Sequence, residues 1–263
     1  MKKPDKIIRE EVVFEGKIFE IVHRHFSGSK RMVEVARRAP GVRLIITKGS
    51  KMLITKEFRY ELNDYDYRLP GGKVFDTLNE YRYALGKKRN MIECAIAAAK
   101  KECLEETGLI AKRIKLFHVS KAGLTVNWDL FYFIIDEFDK NKHGQQLEHH
   151  EIIYPEWKTF KEVKQLCLKN QIKEDRTVGM LLKFLLKNKA NQALAFILFI
   201  LNMFSLSISS NLNWINPFCL SRLGITTNSR ALTLLFVFSI SLSSFLIEVS
   251  TSAANIIFST TLS

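Results

Sequence analysis

Apolar residues in the first 60 positions come in short β-prone runs, each ending at a turn residue. Glu11 to Phe14, Lys17 to Phe26 and Arg31 to Arg38 are such runs, divided by Gly16 and Ser27-Gly28-Ser29. Val42 to Thr47 and Met52 to Phe58 follow, and Lys48-Gly49-Ser50-Lys51 between them predicts a hairpin connection. Arg68-Leu-Pro-Gly-Gly72 predicts a loop, because Pro and two Gly interrupt a strand ladder. Asn90 to Thr107 predicts a helix, with Asn90 as N-cap, an Ala-, Lys- and Glu-rich interior, and Gly108 at the C-terminal cap. Ile114 to Ser120 and Trp128 to Ile135 predict strands; Phe160 to Leu168 and Arg176 to Lys187 predict helices. Strands first, one helix between strands and helices last predict an α/β sandwich with a mixed sheet rather than a doubly wound one.

The pattern changes abruptly after Lys189. Lysine is absent beyond it, and the remaining charged side chains are Arg222, Arg230 and Glu248, so only +1 of the net +13 lies there. The expected division is a catalytic-type domain over 1–189 and an apolar, Ser- and Phe-rich tail over 190–263, of uncertain structure. Within the tail, Ala193 to Ser210 and Ala231 to Ile247 are apolar enough to be weighed as membrane spans, giving a possible membrane contact over 193–247. A buried helical appendage and out-of-frame translation are the competing readings of that segment. The positive charge of the first part is dispersed rather than gathered into an arm, so a nucleic-acid partner is not expected. Cys94, Cys103, Cys167 and Cys219 form no C-x-x-C pair, and no apolar signal follows the basic start; both features predict a cytoplasmic protein with reduced thiols.

Chemistry concentrates at the end of the Asn90 to Thr107 helix. Glu102 and Glu106 stand four apart and share a face, with Glu105 about 60° to the other side of Glu102. Three carboxylates there repel one another and oppose the negative end of the helix dipole, an arrangement that a cation relieves. Hard oxygen ligands at this spacing suit Mg²⁺ or Mn²⁺. A solvated acidic face is the alternative on these residues alone.

The wider stretch, Glu93, seven intervening residues, then Lys101-Glu-Cys-Leu-Glu105-Glu106-Thr-Gly108-Leu109, resembles the Nudix box G-x5-E-x7-R-E-U-x-E-E-x-G-U, where U is bulky and aliphatic. Leu69-Pro70-Gly71-Gly72-Lys73 looks like the segment leading into it. Two departures are evident. Lys101 replaces Arg, keeping charge but losing the bidentate fork. Gly72 stands twenty-one residues before Glu93 instead of six, which implies an insert over about 73–87, expected to be a loop.

The resemblance implies a Nudix-type α/β/α sandwich, the box helix on one face of a mixed sheet and the C-terminal helices on the other. It also implies a Mg²⁺- or Mn²⁺-dependent hydrolase cutting a diphosphate bond in a nucleotide-derived substrate. Metal would be held by Glu102, Glu105, Glu106 and a carbonyl near Gly72. Catalysis would rest on Glu105 and Glu106, with Glu148 or Glu151 as general base in a later loop. Glu93 lies about 180° round the helix from Glu102 and is assigned with Lys101 and Gly108 to the structure of the box, pairing with Lys100 or Lys101. His149 and His150 are expected as surface residues. The stretch from Val33 to Gly72 resembles the ADP-ribose pyrophosphatase branch, with Arg59 expected on substrate phosphate and Arg43 and Arg68 counted with it. Trp128 or Phe131 is considered for stacking on a base. A proline usual after the box in that branch is missing from Ser120-Lys-Ala-Gly123, so a nucleotide sugar is weighed equally with ADP-ribose. A non-catalytic nucleotide-binding module and a membrane-tethered protein are the alternatives. The resemblance also allows a homodimer through the N-terminal strands.

Overall fold

The computed structural model describes residues 5–28, 30–191 and 197. The chain divides into two units, Met1–Ala190 and Asn191–Ser263, of which the first carries the architecture below. Apart from Ile197, the two apolar stretches of the tail lie outside the described residues. Among the described residues no helix is long and apolar enough to cross a membrane.

The strands are β1 (Ile7–Glu15), β2 (Phe19–Phe26), β3 (Met32–Arg38), β4 (Gly41–Lys48), β5 (Lys51–Arg59), β6 (Asp64–Arg68), β7 (Leu109–Ser120), β8 (Val126–Asn127), β9 (Leu130–Lys140) and β10 (Ile153–Thr159). Helices α1 (Leu78–Gly86), α2 (Met91–Thr107) and α3 (Phe160–Leu168) are joined by a fourth, α4, helical over residues 175–191. A mixed sheet runs β10-β5-β4-β9-β7 with β6 on β5, and a smaller one runs β1-β2-β3-β8. In the larger sheet β4 and β9 pair in parallel, while β5 pairs antiparallel with β4, β6 and β10.

The central strands are apolar on both faces, and their period of two assigns alternate residues to different cores. Val42, Leu44 and Ile46 of β4, Leu53 of β5, and Phe131, Phe133 and Ile135 of β9 meet Ala95, Ala99 and Cys103 of α2. Ile45, Met52, Ile54, Leu130 and Tyr132 point the other way, onto Val163, Leu166 and Cys167 of α3 and Leu181 and Phe184 of α4. The result is an α/β/α sandwich. The small residues of α2 let it lie close to the sheet, which presses its C-terminal carboxylates toward the β4 edge.

Three features depart from the sequence reading. The insert is not a plain loop: it holds α1, capped by Thr77 and burying Leu78, Tyr81 and Ala84 at a helical spacing of three. Arg82 of α1 reaches Glu15 and the fully buried Glu20, which Arg37 also holds, so the insert is pinned to the small sheet. Second, β6, β8 and β10 were not anticipated. β6 and β10 are ladder partners of β5 that carry Asp, Tyr, Arg, Pro and Glu, and their strand state comes from that pairing rather than from an apolar pattern. Third, Trp128 precedes β9 rather than lying in it. The thiols of Cys94, Cys103 and Cys167 are free, and burial pushes Cys103 and Cys167 up to about 11, which keeps them protonated.

Candidate active site

The glycine segment is threaded along β4. Leu44 N–H donates to Pro70 O at 2.8 Å and Val42 N–H to Gly72 O at 2.9 Å, so Pro70 to Gly72 continues the sheet edge. Gly71 has φ +144°, and a methyl there would meet Val42 O at 2.2 Å; only glycine fits. Its N–H donates to a Glu106 carboxylate oxygen at 2.7 Å. A methyl on Gly72 would sit 2.1 Å from Glu102 Oε1, so that carboxylate rests directly on the glycine backbone. The absent side chains at 71 and 72 are what allow two glutamates of α2 to reach the sheet.

The C-terminal end of α2 positions a second set of acids. Gly108 closes the helix in the left-handed region at φ +67° and accepts from Asn141 N–H at 2.8 Å. The unpaired carbonyls of the last turn then receive the loop after β9: Gln146 N–H donates to Glu105 O and the Gln145 amide to Glu106 O. This stitching carries Glu148 and Glu151 to the carboxylate cluster.

Gly71, Gly72, the glutamates and Gln146 line one cavity of about 480 Å³, of the size that accepts a nucleotide-like ligand. Its acidic end holds Glu102, Glu105, Glu106, Glu148 and Glu151 against the single ammonium of Lys101. Its other walls hold Arg38, Arg43, Arg59 and Arg68 with Glu57, and Gly72 and Lys73 lie at the join. Burial, then the charges of Glu105 and Glu151, raise the Glu102 carboxyl to about 7; burial and Glu102 raise Glu106 well above the ordinary carboxylate range.

The residues singled out from the sequence separate as follows. Glu102, Glu105, Glu106, Glu148, Glu151, Gly72, Arg43, Arg59, Arg68 and Lys101 share the cavity. Glu93 and Gly108 do not line it. Glu93 accepts from the Asn90 side chain at 3.0 Å at the helix start, and its expected pairing with Lys100 or Lys101 is not made; Lys101 instead lies 3.7 Å from Glu105, one turn on. Arg59 is engaged by Glu57 at 2.8 Å and Glu61 at 3.4 Å. Arg43 and Arg68 share Glu174, at 3.1 and 3.8 Å. His149 and His150 are exposed, with His150 beside Glu148. Phe131 is buried in the α2-side core, whereas Trp128 lines the cavity. Sequence reasoning missed Arg38, Lys73, Glu174 and Gln145. Arg38 closes the β-prone run Arg31 to Arg38 beside Arg37, but β-strand alternation alone does not say which of the pair faces a cavity.

The donor set can be tested against a hard divalent cation. Glu102 and Glu106 are adjacent, desolvated and short of positive charge, and Gly72 O uses one lone pair on Val42, leaving the other. Among the described residues no group of three His, Cys, Asp or Glu side chains already converges on one point, so the protein supplies a pair and a flanking acid, Glu105. Oxygen donors only, an incomplete shell and neighbouring guanidinium groups fit Mg²⁺, which keeps waters and takes ligand phosphates.

A consequence follows for stability. A carboxyl raised from 4.5 to about 7 binds more protons folded than unfolded between those values, so the metal-free protein loses stability as pH rises through that window. A cation removes the repulsion only once the carboxyl is ionised. We expect millimolar Mg²⁺ to raise the thermal midpoint by roughly 5–10 °C at pH 8, and much less at pH 5.5. Equal shifts at both pH values in scanning fluorimetry, or none above a NaCl control of matched ionic strength, would refute this.

No family model matches this chain, and no curated protein matches it in sequence. Among solved structures it resembles the crystal structure of an ADP compounds hydrolase, with a TM-score of 0.51 and 16% identity, covering 73% of this chain and 96% of that one. At that identity the likeness concerns the fold: the chain has a Nudix-type α/β/α sandwich with a mixed sheet.

Proposed function

We propose that the protein is a Mg²⁺-dependent hydrolase of the Nudix type that cleaves the diphosphate bond of a nucleoside diphosphate derivative, with ADP-ribose or a nucleotide sugar as its substrate. The observation that carries this reading is the seating of Glu102 and Glu106 on Gly71 and Gly72, in one cavity with a separate bank of arginines. An acidic cluster for a cation beside a basic wall for phosphate is what diphosphate cleavage requires. The box-like sequence around Glu93 to Leu109, and the fold shared with a hydrolase of ADP compounds, support the same reading.

Glu102 and Glu106 would hold the cation, with Glu105 and Gly72 O beside them. When bound, Mg²⁺ neutralises phosphate oxygens and lowers the pKa of a coordinated water. Glu148 and Glu151, on the loop tied to α2, are the acids available to accept the water's proton. Arg43 and Arg68, oriented by Glu174, present guanidinium groups to the diphosphate. Arg59 is more heavily neutralised by Glu57 and Glu61 and serves the rim of the cavity.

The test is hydrolysis of ADP-ribose, a nucleotide sugar and a dinucleoside polyphosphate by the full chain, with Mg²⁺ and with EDTA. Metal-dependent release of a nucleoside monophosphate is the expected result. Tight nucleotide binding without turnover of any of the three would replace the enzyme with a binding module.

A further inference from the structure

Six cationic side chains line the cavity: Arg38, Arg43, Arg59, Arg68, Lys73 and Lys101. Four have a carboxylate within ion-pair distance, Arg43 and Arg68 through Glu174, Arg59 and Arg68 through Glu57, and Lys101 through Glu105. For Arg38 and Lys73, no carboxylate among the described residues lies within ion-pair distance. Arg38 is nonetheless held firmly. Its guanidinium lies 4.4 Å from the ring centroid of Trp128 and 5.4 Å from that of Phe19. Contacts with two rings engage the faces of a guanidinium and leave its N–H edges for hydrogen bonds.

Trp128 is itself fixed. Arg176 stands 5.0 Å from its ring and donates to its carbonyl and to Ser120 O. The indole Nε1–H can only donate, and it has no acceptor among the described residues. It lies at the wall beside Gly41, 3.9 Å from where a methyl on that glycine would sit, and Gly41 bridges to Lys73. A guanidinium edge, an indole N–H and an ammonium-bearing residue are therefore gathered about Gly41 in the cavity lining, and none has a hydrogen-bonding or ion-pair partner among the described residues. Burial and the neighbouring Arg43 charge also hold Arg38 below its ordinary value, against a smaller opposing effect of the Glu174 charge.

We infer that Arg38 and Trp128 Nε1–H, with Lys73 beside them, form an anion subsite that takes the phosphoryl group of the substrate not held at Glu102 and Glu106. The inference rests on the diphosphate reading above and deepens it: the subsite makes a second phosphate, rather than the nucleoside, the feature the cavity selects. An aromatic clamp that pre-orients the guanidinium lowers the ordering cost of binding a phosphate.

The experiment is calorimetric titration of the full chain with ADP and with AMP in Mg²⁺ buffer. The wild type should bind ADP more tightly than AMP. Arg38→Gln should weaken ADP by roughly 10- to 100-fold, the range for loss of a charge-assisted hydrogen bond, and leave AMP nearly unchanged. Arg38→Lys, which keeps the charge and loses the fork, should fall between them and carries the test if the Gln variant does not fold. An Arg38→Lys or Arg38→Gln protein that binds ADP as the wild type does overturns the subsite while leaving the diphosphate reading intact. A wild type that binds neither nucleotide overturns both.

Discussion

Glu106→Gln is expected to lower turnover by at least about 10²-fold, while leaving the metal-free protein as stable as the wild type or more so. The two effects have one cause. Glu106 is buried, accepts from Gly71 N–H at 2.7 Å, and faces Glu102. As a carboxylate it is repelled by that neighbour and deprived of water; both penalties raise its pKa. Glutamine has the same shape, and its carbonyl oxygen can accept the same Gly71 hydrogen bond without the charge. Removing the charge therefore relieves the folded state and removes half of the carboxylate pair proposed to hold the cation. The measurement is a steady-state assay on whichever substrate the panel identifies, paired with a thermal melt in EDTA. A variant that melts well below the wild type would assign Glu106 to structure instead, and one that keeps its turnover would remove it from the catalytic apparatus.

The second large effect is on folding. Gly71→Ala is expected to destabilise the protein by roughly 2–4 kcal/mol, because φ +144° is strained for any L side chain and the new methyl would lie 2.2 Å from Val42 O. Backbone cannot swing away as a side chain can. In a domain of this size that loss lowers the thermal midpoint by roughly 5–15 °C. Gly72→Ala is the contrasting case. Its methyl meets the Glu102 carboxylate, the far end of a flexible side chain, which can rotate aside. It should spare the fold and lose the Mg²⁺-dependent stabilisation. Urea melts of both variants, with and without Mg²⁺, decide the point: similar midpoints for the two proteins would mean that the glycine segment is not held as described.

Much of this molecule was legible in one dimension. α2 could be delimited from Asn90 to Gly108 because its caps are local: Asn90 accepts from Ile92 N–H, and Gly108 takes the left-handed cap. The strands β2 to β5 carried enough apolar residues to announce themselves. α3 matched its expected limits because Thr159 and Glu162 form a reciprocal capping box. By contrast β6 and β10 exist because β5 offers two ladder edges, a property of their neighbour. α1 was hidden for a related reason: its short, weakly apolar face acquires meaning only once Arg82 and Tyr81 have the small sheet to lie against.

The site shows the same division. By itself the sequence determined the helical spacing of Glu102, Glu105 and Glu106, the special backbone of Pro70 to Gly72, and the kinds of ligand that carboxylates and arginines attract. These follow from local geometry and from residue chemistry, which are written in consecutive positions. Only the tertiary structure decided that Gly71 and Gly72 lie beneath Glu106 and Glu102, that Gln145 and Gln146 tie the acidic loop to α2, and which arginines have carboxylate partners. Glu174 lies far along the chain from Arg43, yet the two are 3.1 Å apart, and no pattern of neighbours encodes that distance. Whether a charge has a partner depends on groups brought together by folding of the whole sheet, which is why Arg38, rather than Arg59, is the cavity guanidinium with no carboxylate among the described residues within ion-pair distance.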